Sequence, residues 1–374
     1  MSETQGTAFK EWYDRRAAEI LADQLSASKD FNRSTFLSLA VENLEKLEMQ
    51  DRVRQFSDAI AAALPSDRAK ALRIVRETLP PREGNWDTYR GGRLQWPIGR
   101  FIEDYGGKHF EESFDAMVEL TKRFTSEFAI RPFLEATPEK VFPRLLALTA
   151  DTNEDVRRWC SEGTRTRLPW GRKLHALIED PSPIWPILEA LRDDESKYVQ
   201  KSVANNLNYL AKDHPEAVIA RCQSWMKNAT PQRAWIVKHA LRTLIKDGHP
   251  DALAVVGIHP PEKLTVKFRA LEEEIRIGES LTLAAELVSS SSKAQSLVVD
   301  FAVRYVRKGN KFSKKVFKWK PLTIGAGETV SLEKGHAFKP TTIRALYPGE
   351  HLVEIQINGQ RLGETRFQLS EQSG

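Results

Sequence analysis

Near residue 260 the spacing of apolar residues in this 374-residue chain changes period, so one kind of secondary structure cannot serve the whole sequence. From about residue 7 to residue 256 apolar residues recur at intervals of three and four, as on a helix with one buried face. Interruptions fall at Pro or Gly, in "LPPREGN" (79–85), "ATPEK" (136–140), "EDPSP" (179–183), "DHPEA" (213–217) and "DGHPD" (247–251). Beyond "HPPEK" (259–263) apolar and polar residues alternate. "KLTVKFRA", "ESLTLAAELV", "VVDFAVRYV", "KVFKWKPLTI", "TVSLEKGHAF" and "EHLVEIQI" read as strands of period two. "KGNK" (308–311), "GAGE" (325–328) and "NGQ" (358–360) supply hairpin turns between them.

The expected architecture is an all-α domain over residues 1–258 followed by an all-β domain over residues 262–374. About seven short strands in some 110 residues suit a sandwich of immunoglobulin type, and Tyr347 stands where a tyrosine corner would open the penultimate strand. The helical part also repeats itself. "TSEF" (125–128) and "CSEG" (160–163) lie 35 residues apart, and "YVQKSVANN" (198–206) follows "DVRRWCSEG" (155–163) by 43. Such periods look like HEAT-type helical pairs, which stack into a solenoid whose concave face is a long binding surface.

Composition excludes several function classes. With 29% charged and 41% hydrophobic residues the chain is an ordinary globular protein. No apolar run approaches the roughly 18 residues of a membrane span, and "MSETQGTAFKEWYDRRAAEI" is too polar for a signal peptide. Cys160 and Cys222 have no metal-ligand spacing, so no metal, disulfide framework or other cofactor is expected, and a reducing cytoplasm is the expected location. The net charge of +5 arises entirely beyond residue 260, where 18 basic residues face 13 acidic ones; residues 1–260 carry 38 of each. "RYVRKGNKFSKKVFKWK" (304–320) holds eight cations and no acid, with Tyr305, Phe312, Phe317 and Trp319 interleaved. Arg307, Lys308, Lys311 and Lys314 are candidate DNA contacts on that hairpin, which otherwise reads as an edge protected by lysines.

Overlaying the repeats places a cation four residues before each aligned acid or amide. Arg123 precedes Glu127, Arg158 precedes Glu162 and Lys201 precedes Asn205. On helices these pairs would form one polar stripe, flanked by Lys122, Arg131, Arg157, Arg165, Arg167, Lys238 and Arg242, with His239 at the position one repeat after Asn205. A ladder of cations and amides suits a phosphate backbone, although charged pairs at this spacing also occur on ordinary solvated helices. "SVANNLNYLAKDHP" (202–215) crowds three Asn residues into two turns, a poor choice for helix stability alone. Asn205 and Asn208 are expected to face DNA or to orient Tyr209 and Glu162, and Asn206 to cap an adjoining turn. Trp170 is a candidate stacking residue, whereas Trp159, between Arg158 and Cys160, suits a core.

"QWPIGRFIEDYG" (95–106), "LTKRFTSEFAIRPFL" (120–134), "DVRRWCSEGTRTRLPWGRKL" (155–174), "SVANNLNYLAKDHP" (202–215) and "LRTLIKDGHPDAL" (241–253) resemble the AlkC-type family of HEAT-like-repeat DNA glycosylases. The resemblance covers most of residues 95–257, and one branch of that family carries a C-terminal immunoglobulin-like domain. It implies a DNA alkylation-repair enzyme that hydrolyses the N-glycosidic bond of cationic bases such as N3-methyladenine or N3-methylcytosine. An abasic site would remain in the duplex, and no deep base flipping would be required. Such a base is already a good leaving group, so carboxylates need only stabilise oxocarbenium character and position a water. The resemblance assigns that role to Glu127 and Glu162. At the position of the family's third carboxylate, an Asp, this chain has Tyr209, whose phenol carries no fixed charge near pH 7. Three readings follow from the sequence. The first is a monomeric glycosylase acting on alkylated duplex DNA, without a membrane partner. The second is a non-catalytic relative that binds damaged or branched DNA, and the third is a helical protein-interaction scaffold.

Overall fold

The computed structural model describes residues 9–82, 92–309, 311–340 and 345–371. The break "LPPREGN" runs out of this range beyond Arg82, and Asn310 of "KGNK" lies outside it. The first half of the helical region comprises α1 (Arg15–Leu25), α2 (Arg33–Ala40), α3 (Met49–Ala63), α4 (Arg68–Glu77), α5 (Trp96–Tyr105), α6 (Phe110–Thr121), α7 (Arg131–Ala136) and α8 (Pro138–Leu148). Then follow α9 (Glu154–Gly163), α10 (His175–Glu179), α11 (Trp185–Ala190), α12 (Lys197–Leu210), α13 (Pro215–Met226), α14 (Pro231–Ala240), α15 (Arg242–Lys246) and α16 (Pro250–Val255). The starts are local chemistry. Asp14, Asn32, Asp67, Asn153 and Ser196 each accept a backbone N–H of the first turn, and Pro opens α5, α7, α8, α11, α13 and α16.

The helices pack in neighbouring pairs, α2 with α3, α3 with α5, α4 with α6 and α9 with α12. Where α9 meets α12, Val156, Trp159 and Cys160 on one side and Val199, Val203 and Leu207 on the other are fully buried. Trp159 packs against Phe114 with ring centroids 5.6 Å apart and belongs to the core. Among the described residues no helix is long and apolar enough to cross a membrane. Nor do they hold a group of three or more His, Cys, Asp and Glu side chains that could hold a metal ion.

Strands begin at Leu264. A three-stranded sheet has the order β1 (Leu264–Ala270), β3 (Ser280–Ser289), β6 (Thr329–Ala337). A five-stranded sheet has the order β2 (Glu274–Arg276), β8 (Gln360–Ser370), β7 (Gly349–Ile357), β4 (Gln295–Arg307), β5 (Lys311–Ile324). Pairings are antiparallel except β2 with β8. Leu281 and Leu283 from the first sheet and Phe301, Val303, Val353 and Leu369 from the second share one core, as in a sandwich. A helical region followed by a β-sandwich is the order that the two periodicities predict.

Packing divides the chain elsewhere. One compact unit is Met1–Asp213 with Thr230–Ile236, and the other is His214–Ala229 with Val237–Gly374. Secondary structure changes between Val255 and Leu264, but α13, α15 and α16 group with the sandwich. Within that second unit Gly248 and Gly359 meet back to back, both at positive φ. A Cβ on Gly359 would come within 2.5 Å of Leu253 Cδ1 and 2.7 Å of Gly248 Cα. Asn358 Nδ2 adds hydrogen bonds to the carbonyls of His259 at 2.7 Å and Ser296 at 3.1 Å.

Candidate carboxylate site and nucleic-acid interface

Glu127 and Glu162 come together, by a route that differs from the expected helical ladder. Helix α6 ends at Thr121, and Glu127 occupies the turn before α7. The hydroxyls of Thr125 and Ser126 help to end the helix. Thr125 Oγ1 accepts the Glu127 N–H at 3.3 Å, and Ser126 Oγ donates to the Met117 carbonyl at 2.8 Å. Arg123 therefore does not stand one turn below Glu127. Its guanidinium donates to the Pro80 carbonyl and to the carbonyl and carboxylate of Glu119, and Lys122 pairs with Glu119 too.

The cation that meets Glu127 comes from α9. Arg158 Nη1 pairs with Glu127 Oε2, and Arg158 Nη2 lies 3.4 Å from Glu162 Oε1. Glu162 Oε1 also pairs with Arg165, and Glu162 Oε2 accepts Ser202 Oγ of α12 at 2.6 Å. The result is an alternating row, Glu127, Arg158, Glu162, Arg165. Burial opposes the charge of Arg158, but the two carboxylates outweigh it and hold the guanidinium pKa above its ordinary value. Tyrosine rings cover the cations. Arg158 lies 5.1 Å from the centroid of Tyr198, and Arg165 lies 4.5 Å from that of Tyr209, which Lys212 approaches to 4.2 Å.

The two carboxylates differ in what remains free. Both Glu162 oxygens are engaged by protein groups, whereas Glu127 accepts its Arg158 and Thr125 bonds through Oε2 alone. Among the described residues Glu127 Oε1 accepts no hydrogen bond, and the side chain is 13% exposed. Glu127 is thus the carboxylate able to take a water or face a ligand cation, and Glu162 braces the two arginines.

Several expected contacts occupy other places. Arg131 is 1% exposed and donates to the carbonyls of Arg172, Gly163 and Arg165, so it pins the α9 end instead of facing DNA. Burial pushes its pKa down, and the Glu135 carboxylate opposes that shift. Arg157 is spent on Asp194, and Arg167 on Asp213. Asn208 is buried, at 4% exposure, whereas the α12 residues around it are not all core. Asn206, also buried, donates to the Ser161 carbonyl at 2.8 Å and Thr164 Oγ1 at 3.1 Å, and so ties down the last turn of α9. Asn205 and Tyr209 are half-buried, and Lys201 is exposed.

Trp170 is 64% exposed and held at φ 65°, a backbone conformation that L residues rarely adopt. Its ring stacks on Trp96 with centroids 6.2 Å apart and planes 6° from parallel, and Trp96 stacks on Phe128 at 5.4 Å. Tyr198, Ser202 and Trp96 join the candidate site here without having been singled out in the sequence.

In the second unit Lys238 is exposed, His239 is half-buried, and Arg242 Nη1 donates to the His239 carbonyl at 2.6 Å. Strand β5 is the edge of its sheet. Lys308 and Lys311 are exposed, Arg307 binds Ser313 Oγ at 2.7 Å, and Lys314 pairs with Glu354 at 2.7 Å. The interleaved aromatics do not form a DNA-facing row. Tyr305 is 2% exposed and bonds His336, Phe317 stacks on Phe301 at 5.3 Å, and Trp319 packs against the core. Phe312 alone of the four is exposed, since period two sends the others inward.

Residues 265–371 match the family described as "Uncharacterised protein YhaZ, C-terminal Ig-like domain". The chain is 38% identical over 363 residues to "Uncharacterized protein YhaZ" of Bacillus subtilis, across 96% of this chain and 99% of that one. A solved structure, Pseudomonas fluorescens alkylpurine DNA glycosylase AlkC bound to DNA containing an abasic site analog, matches with a TM-score of 0.86 and 33% identity. That match covers 97% of this chain and 100% of the other. Both likenesses run through helices and sandwich alike.

Proposed function

The chain belongs to the AlkC-type family of DNA glycosylases, in the branch with a C-terminal immunoglobulin-like domain, and we propose that it hydrolyses the N-glycosidic bond of cationic N3-alkylated bases in duplex DNA. The observation that carries this reading is the free oxygen of Glu127, beside a second carboxylate that shares its arginine. In the proposed reaction water adds to C1′ of the alkylated nucleotide as the C1′–N bond breaks. N3-methyladenine leaves as a neutral base, one proton passes to solvent, and an abasic site remains. Glu127 Oε1 would accept a hydrogen bond from the water and stabilise positive charge developing on the sugar. Glu162 would keep Arg158 and Arg165 in place. The family's third carboxylate is absent, since Tyr209 presents its ring to Arg165.

DNA is the proposed partner, by analogy with the DNA-bound glycosylase. The helical pairs are read as HEAT-like repeats presenting Trp170, Lys201 and Asn205, and the exposed Lys238, Lys308 and Lys311 as phosphate contacts. One feature favours a second reading. Glu127 and Glu162 are matched one to one by Arg158 and Arg165, which leaves the row without net negative charge. A protein with such a site would bind alkylated DNA without cutting it. Substituting Glu127→Gln separates the readings: a glycosylase loses base release and keeps its DNA affinity, whereas a pure binder has no release to lose.

A further inference from the structure

Beside the stacked rings lies a cavity of about 250 Å³, lined by α3, α5 and the segment around Trp170. Four guanidiniums, of Arg54, Arg100, Arg131 and Arg172, and one carboxylate, Glu103, border it. Arg100, Arg131 and Arg172 are held by protein groups, Arg172 by Glu103 and Glu135. Arg54 is exposed and makes no hydrogen bond or ion pair among the described residues, and the same is true of Gln50, one turn earlier on α3. The cavity thus has an unspent cation and an unspent amide on one helical face.

Its aromatic border is also incomplete. Phe128, Trp96 and Trp170 form a row of rings in which Trp96 is the middle member and Trp170 the exposed end. The fold keeps this large apolar side chain outside at a disfavoured φ instead of burying it, and backbone strain of this kind collects at active sites and ligand clamps. The next object on such a stack is another flat ring. An aromatic end, a free guanidinium and a free amide are together the complement of a base with a phosphate attached.

We propose that this cavity binds one nucleotide, its base stacked on Trp170, its phosphate on Arg54 and its base edge on Gln50. The ligand chemistry is the same whether the nucleotide is free or is an unpaired residue of a DNA strand. Occupancy of the cavity does not depend on whether Glu127 and Glu162 hydrolyse anything, so either proposal can fail alone. Glu103, whose pKa burial raises, adds a polar group at the rim, with Arg172 at 3.5 Å and Arg100 at 3.7 Å.

The experiment uses the full chain and two fluorescent probes, 2-aminopurine deoxynucleoside 5′-monophosphate and a single-stranded trinucleotide containing 2-aminopurine. Stacking on an indole quenches this base. Saturable quenching of at least one probe is expected, with the quench lost in Trp170→Ala and the affinity weakened about tenfold in Arg54→Ala. Both residues are exposed, and unchanged thermal unfolding of each variant shows that the fold survives. Quenching by the monophosphate assigns the site to free nucleotide, and quenching by the trinucleotide alone assigns it to the DNA strand. Absence of saturable quenching by either probe up to millimolar concentration overturns the proposal, and so does undiminished binding by Arg54→Ala.

Discussion

Ser202 Oγ donates to Glu162 Oε2 at 2.6 Å, joining α12 to the buried carboxylate of α9. Both side chains are nearly inaccessible, at 3% and 5% exposure. Removing the hydroxyl leaves a buried carboxylate oxygen without its partner, so Ser202→Ala is expected to cost about 1–3 kcal/mol of stability. Urea unfolding measures the loss. DNA affinity should stay at the wild-type level, because Ser202 is buried and its hydroxyl is turned to Glu162.

Tyr209 stands where the resemblance in sequence puts a third carboxylate. Tyr209→Asp would place a third carboxylate beside Arg165 and restore negative charge to a row that is otherwise balanced. One well-placed carboxylate is worth on the order of 3 kcal/mol of transition-state stabilisation, roughly a hundredfold in rate. Single-turnover release of N3-methyladenine is therefore expected to rise in this variant. An unchanged or slower rate would mean that the tyrosine ring serves the reaction better than a charge does.

His351, buried in the sandwich, predicts a pH dependence of stability. Its Nδ1 donates to the Gly349 carbonyl at 3.0 Å and its Nε2 accepts the Val306 N–H at 3.4 Å, an arrangement that requires the neutral ring. Burial lowers its folded pKa below the unfolded value of 6.5. The unfolded state therefore takes up the proton first, and the stability present above pH 6.5 falls as the pH drops from there through the folded pKa. Thermal unfolding of wild type and His351→Phe at pH 7.5 and pH 5 tests this. The wild type should lose more than the variant, and equal losses would remove His351 from the account.

The fold was largely legible because periods of 3.6 and two leave different marks on the apolar residues. The site was legible only in part. Glu127, Glu162 and Tyr209 came from word-level resemblance, and the stripe drawn through Lys201 and Asn205 runs on to Tyr209 but passes over Tyr198, Ser202 and Asn206 beside it. The side that meets α9 carries Tyr198, Ser202, Asn206 and Tyr209, at steps of four, four and three. Stepping back along the helix from Tyr209 would have found them. Other features carry no such signal. A hydroxyl pair ends α6 early, and the Trp170–Trp96 stack joins residues 74 apart, a distance at which periodicity conveys nothing. The hairpin aromatics divide in a way their spacing does not show, since Phe317 and Trp319 pack against the core while Phe312 stays outside under Arg304.

The central claim is that the Glu127–Arg158–Glu162 row breaks a glycosidic bond. The most direct test is single-turnover release of N3-methyladenine from methylated duplex DNA by the wild-type chain, beside a control without protein because this lesion also depurinates unaided. The account predicts release well above that control. Release at the level of the control, with DNA binding retained and weakening steeply between about 50 and 200 mM salt, would contradict it and leave a DNA-binding protein in a glycosylase fold.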